Sequence, residues 1–384
     1  MSEKATGVAT NAGIRSGTPM TDLPRLAVTV GALASLACNA GGQASGAPAC
    51  RATETSLTPP GWRASASASA PAEASRGGLR LLRDVPLPGP ANRFDYQSVD
   101  PTTRRLYISH MNAGSVVVFD LDSGVVRSEV HGTPRATGVW AVPEHHAVYV
   151  SAAGAHEVAV IDTRADTIRA RVGGIQFPDG IAYAPAEDKV FVSDESGAAD
   201  VVIDARANAK RSTIALGGEA GNTHYDSVSH CILVAVQTRD QLVAIDPATE
   251  RIVQRYALPG SDHPHGFALD EPGRLAFVTS EGSGVLQVVD LRTMRVVATH
   301  RVGDDPDVVA WDAGWRRLYV ASESGVVSEF VADGATLRAV GALRFPHAHT
   351  VAVDPQTHLV YLPLADVGSR PVLRILAGEG APRR

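Results

Sequence analysis

From residue 78 onward, short runs of β-branched and aromatic residues alternate with clusters of Gly, Asp, Ser and Pro. In RRLYISHMNAGSVVVFDLDSGVVRSEV (104–130), apolar and polar positions alternate at period two between turn residues. Such alternation predicts antiparallel strands, and no helical periodicity competes with it. The same text returns at 146–172, 188–214, 232–256, 274–300 and 316–340, with a shortened copy at 358–376. A period near 42 residues with four strands per unit predicts propeller blades. One four-stranded sheet cannot bury both its faces alone, so neighbouring sheets must stack radially.

The seventh copy ends after its third strand. The missing outer strand stands at the other end of the repeat region, where LRLLRDVPL (79–87) matches the strand closing the fourth unit. Residues 79–87 are therefore expected to pair with 371–377, which closes the ring and protects its edges. The predicted fold is all-β: a seven-bladed β-propeller of four-stranded antiparallel blades over residues 78–378.

The elements RLYIS, AVYVS, KVFVSD and RLYVAS, each followed by VxxxD, resemble the YVTN or YncE-like family of exported seven-bladed propellers. The resemblance covers residues 78–378 and implies a periplasmic or surface protein that binds a ligand. Function on such a scaffold has to be argued from the site, because propellers carry many unrelated activities.

The preceding residues differ in kind. LAVTVGALASLA (26–37) has the length of a signal-peptide apolar region, so residues 1–38 read as a signal peptide, with Met20 an alternative start. Cys38 after SLA is similar to a bacterial lipoprotein cleavage site and would anchor the chain to a membrane through a lipid; plain secretion is the alternative. Residues 39–77, rich in Ala, Ser, Gly and Pro, read as a disordered linker, and 379–384 as a tail. Export to the periplasm, the outer membrane as a lipoprotein, or the medium follows. Three cysteines allow at most one disulfide, and Cys231 in HCILVAV reads as a buried thiol.

A net charge of −6 without a dense Lys/Arg stripe argues against nucleic acid as a partner. Phosphate-loop, CxxC and HExxH motifs are absent. The polar signal lies instead in repeated histidines, GSDHPHGFALD (260–270) and FPHAHTVAVD (345–354). Aligning the repeats gives one position before each first strand: Asp95, Thr137, Asp179, His224, His265, Asp307 and His349. First strands line a propeller's channel, so these side chains are expected at one channel mouth. Two residues earlier, His263, Asp305 and His347 would point the same way if the segment is extended. Glu281 and Glu323, in loops on the same face, add acceptors.

The expected ligand-binding set is thus Asp95, Asp179, His224, His265, Asp307, His349, Glu281 and Glu323. Imidazole and carboxylate donors suit a divalent transition metal (Zn, Cu, Fe, Ni or Mn) held by some of His224, His263, His265, Asp307, His347 and His349. The leading expectation is an exported propeller, a monomer, binding a small molecule, metal ion or protein partner at the mouth. A metal-dependent hydrolase or lyase using the same cluster is the first alternative, and a lipid-anchored interaction platform the second. The residues leave open whether the protein is an enzyme.

Overall fold

Each repeat becomes one four-stranded antiparallel meander, seven in all, in the computed structural model, which describes residues 49–53 and 78–378. The innermost strands of blades 1 to 7 are Gln97–Asp100, Ala136–Val142, Pro178–Ala184, Ala220–Asp226, Pro264–Asp270, Pro306–Asp312 and Ala352–Val353. The outer strand of blade 7 is Leu79–Pro86, paired antiparallel with Val372–Gly378 from Leu79↔Gly378 to Pro86↔Val372. The ring closes as the sequence predicts. Helix among the described residues is limited to short 3-10 turns, and no helix there is long and apolar enough to cross a membrane.

The core lies between blades. Tyr149, Val158 and Val160 of blade 2, for example, pack on Val190, Val192 and Val201 of blade 3. Second and third strands, covered on both faces, are apolar almost throughout, whereas outer strands such as Arg251–Ala257 alternate exposed and half-buried positions. Ion pairs at the far end of the inner strands join neighbouring blades. Arg274 grips Asp226 through both oxygens at 2.6 and 2.7 Å, and Arg104 of blade 1 grips Asp354 of blade 7 at 2.7 Å twice, across the closure.

Residues 49–53, inside the stretch read as linker, lie against blades 4 and 5. Arg51 N–H donates to the Ser229 carbonyl (2.8 Å), and the Tyr256 hydroxyl donates to the Thr53 carbonyl (2.7 Å). Cys50 is disulfide-bonded to Cys231, 181 positions away, which corrects the reading of Cys231 as a free buried thiol. The spacing of two cysteines in unlike segments carried no sign of the pairing. A disulfide is compatible with an oxidising compartment. Residues 1–38 with Met20 and Cys38, the remainder of 39–77, and the tail 379–384 lie outside the described residues.

Candidate functional site

The mouth of the channel is built by one repeated local device. In blades 2 to 6 the inner strand carries a bulge near its start, for example between Pro178 and Ile181 and between Pro264 and Phe267. A bulge leaves residues unpaired and re-aims their side chains. The residue it turns toward the axis is Thr137, Asp179, Gly221, His265 or Asp307, according to blade. Asp95 and His349 occupy the matching places in blades 1 and 7.

This register corrects the blade 4 assignment. Ala220 pairs with Val236 as Pro264 pairs with Ser280, so Gly221 matches His265 and His224 lies three residues further down the channel. The connection before blade 5 spans 258–263, against 216–219 before blade 4 and 302–305 before blade 6, and those extra residues obscured the period. His224 sits against Phe267 (ring centroids 4.5 Å) and Trp140 (6.1 Å), away from the acidic residues. Burial there lowers its pKa to about 4.

The His-x-His pairs also separate. His263, Asp305 and His347 have φ of 56°, 49° and 66°, so the backbone turns in the left-handed region and the residues two apart do not share a side. The turn presents their carbonyls to the next loop: Glu281 N–H donates to His263 O at 3.0 Å and Glu323 N–H to Asp305 O at 2.8 Å. His263 is exposed and lies beside Asp262 (2.8 Å), and His347 is exposed as well. Neither lines the mouth. The same loop hydrogen bond, Glu195 N–H to Phe177 O at 2.9 Å, places Glu195 at the position equivalent to Glu281 and Glu323.

What gathers is a cavity of about 220 Å³ lined by Asp95, Asp179, Glu195, His265, Glu281, Asp307 and Glu323, with Arg93, Tyr96, Arg135 and Thr137 among the others. His265 Nε2 is 3.6 Å from Asp179 Oδ2 and 3.5 Å from Asp307 Oδ1, and its Nδ1 is 3.6 Å from Glu281 Oε1. His349, buried beside Asp95, has Nε2 3.8 Å from Asp95 Oδ1. Arg93 pairs with Glu323 at 2.6 Å and reaches Asp307 at 3.9 Å. The Tyr96 hydroxyl lies 2.9 Å from His265 Nε2 and donates to Asp307 Oδ1 at 3.3 Å.

Electrostatics follow from this crowding. Burial opposes a charge on His265, yet Glu281, Asp307, Asp179 and Glu195 outweigh it and raise its pKa to about 9. Burial, reinforced by neighbouring carboxylates, raises Asp179, Asp307, Glu281 and Glu195, although His265 opposes each. Burial opposes protonation of His349 too, and Asp95 raises it nevertheless. Two sets of three donors lie within 4.8 Å of one another, His265, Glu281, Asp307 and Asp95, Asp307, His349, with Asp307 common to both. Asp179 Oδ2, His265 Nδ1 and His349 Nε2 are buried without a hydrogen-bond partner.

Of the sequence-derived set, Asp95, Asp179, His265, Asp307, Glu281 and Glu323 share the cavity, His349 adjoins it, and His224, His263 and His347 stand apart. Two other titratable residues at the ends of second strands are structural. His110 stacks on Phe94 (4.0 Å), and Asp194 accepts the Gln176 and Phe177 N–H groups.

A family model described as YNCE-like beta-propeller matches residues 105–315. Among curated proteins none matches the sequence. Among solved structures, Kuenenia stuttgartiensis hydrazine synthase is similar, with a TM-score of 0.64 and 16% identity, covering 77% of this chain and 97% of that one. At that identity the likeness concerns the fold. With repeats, closed ring and family match in agreement over more than half its length, the chain belongs to the YNCE-like β-propeller family.

Proposed function

We propose that this is an exported binding protein whose channel mouth holds a divalent transition-metal ion, to which a small ligand can then coordinate. The carrying observation is a surplus of carboxylates gathered round His265, with Asp179 Oδ2 and His265 Nδ1 buried and without a hydrogen-bond partner. Six carboxyl groups line the cavity against Arg93, Arg135 and His265, a formal surplus of three negative charges even with the imidazole protonated. Oxygen and nitrogen ligands about 2.1 Å from a tetrahedral ion stand about 3.4 Å apart. The 3.6 Å between His265 Nδ1 and Glu281 Oε1 is close to that value and too long for a hydrogen bond, and one donor atom each from His265, Glu281 and Asp307 lies within 4.8 Å of the others.

His265, Glu281 and Asp307 would be the first set of ligands, with Asp95 and His349 on the other side of Asp307. His265 and Glu281 come from blade 5, while Asp307, His349 and Asp95 come from blades 6, 7 and 1, so the packing of neighbouring blades sets the ligand spacing. Arg93 would hold Asp307 and Glu323 in place, and the open mouth leaves coordination positions for a small anion or water. The Cys50–Cys231 disulfide supports export.

Calorimetric titration of chelator-treated protein with Zn²⁺, Cu²⁺, Ni²⁺ and Mn²⁺ tests the proposal. One saturable equivalent is expected for at least one ion, weakened tenfold or more by Asp307→Asn and unchanged by His263→Ala and His347→Ala. No saturable uptake of any of the four, or equal losses in all three variants, would reject it.

A further inference from the structure

Below the mouth, the same channel changes character. A second cavity of about 320 Å³ is lined by the inner strands of all seven blades, and among the described residues its wall contains no carboxylate, arginine or lysine. Its one titratable imidazole, His224, is held neutral by burial. Among the described residues Tyr96 alone borders both cavities, with its hydroxyl among His265 and Asp307 above. Tyr96 occupies the position that is Gly138 in blade 2 and Gly266 in blade 5, so blade 1 alone of these three projects a ring there and partitions the channel.

Aromatic rings stand among the small apolar residues of the lower cavity's wall. Trp140 of blade 2, packed against blade 3, has its ring centroid 6.1 Å from that of His224 on blade 4, edge to face, and His224 meets Phe267 of blade 5 in the same manner at 4.5 Å. Trp311 of blade 6 also lines the cavity, its ring packed on Phe277 (5.0 Å) with the Arg316 guanidinium 5.6 Å from it. Trp140, His224 and Trp311 each keep part of their surface open. Rings in such a wall offer edges and faces to a flat partner, while a neutral imidazole offers one hydrogen bond and no charge.

We propose that this lower chamber is a second binding site, separate from the mouth, for a small uncharged aromatic molecule of one or two fused rings. Its volume falls at the lower end of the range of about 300–1,000 Å³ typical of small-molecule sites. A charged ligand would lose its hydration against a wall that supplies no counter-charge, so the chamber selects against ions of either sign. The reading does not depend on a metal at the mouth.

The test is calorimetric titration with 2-naphthol and, in parallel, its charged relative 2-naphthoate. Saturable 1:1 binding of 2-naphthol is expected, at least tenfold tighter than 2-naphthoate. Trp140→Leu and His224→Leu should each weaken 2-naphthol at least fivefold, with thermal melts confirming that the variants fold; Asp307→Asn should leave it within twofold. If a variant fails to fold, competition between 2-naphthol and indole on the wild-type protein, read from ligand-observed NMR, replaces it and should show one shared site. Absence of saturable binding, equal affinity for the naphthoate, independent binding of the two aromatics, or loss only in Asp307→Asn would overturn the proposal.

Discussion

Position along one channel gives His224 and His265 opposite behaviour. His265 is surrounded by carboxylates and held near 9, whereas His224 is surrounded by rings and held near 4. For His224 the folded value lies below the ordinary one of 6.5. As pH falls, the unfolded chain therefore takes up the proton first, and stability present above about 6.5 is lost on the way down to 4, by on the order of 3 kcal/mol. For His265 the folded value is raised, so its contribution is complete below 6.5 and is lost only as pH rises through about 9. The two windows do not overlap. Urea unfolding of wild type and His224→Gln at pH 7, 5.5 and 4 should thus show the wild type losing more stability than the variant over that range. Parallel pH profiles would contradict the burial argument.

The element that makes the site is the bulged start of the inner strand together with the small residue after it. A Cβ added at Gly266 would stand 1.6 Å from the Asp307 carbonyl oxygen, and one at Gly138 would stand 1.8 Å from the Asp179 carbonyl oxygen. Both obstacles are backbone, so neighbouring inner strands could not keep their approach. Gly266→Ala is expected to cost at least about 3 kcal/mol in chemical denaturation, because no rotamer change relieves the overlap. Gly173→Ala, on an outer strand with nothing within 4 Å of the added carbon, is expected to stay within about 1 kcal/mol of wild type. Equal losses at the two positions would mean that strand propensity, not close approach, governs these glycines.

At the scale of the whole molecule, closure decides whether the seven blades form one cooperative body. Leu79–Pro86 supplies the last outer strand, and Arg104 with Asp354 fastens blade 1 to blade 7 at the inner strands. Deleting residues 78–86 would leave the N–H and C=O groups of Val372–Gly378 facing solvent, an edge ready to pair with another chain. Size-exclusion chromatography is expected to show oligomers or aggregates for the deletion, with a lower melting temperature. An unchanged elution volume and melting temperature would show that the other six blades hold the ring without this strand.

Period-two alternation, turn residues and a period near 42 were enough to specify blades, their number and the closing strand, because strand faces and radial stacking follow from local pattern. Aspartates that end the third strands form the turns that follow: Asp162 and Asp290 accept backbone N–H groups two residues on, at 2.8 and 2.7 Å. Side-chain direction was another matter. The pattern HPH suggests two imidazoles on one side, yet the left-handed turn at His263 sends it to solvent and leaves His265 alone among the carboxylates. Two inserted residues between Ala257 and Pro264 hid the fact that Gly221, not His224, stands at the mouth. Cys50 met Cys231 only through folding of a distant segment onto blades 4 and 5. The sequence by itself determined the architecture, because repetition encodes contacts between like elements; only the tertiary structure decided which side chains share a cavity, because bulges, positive φ and loop length rotate residues individually.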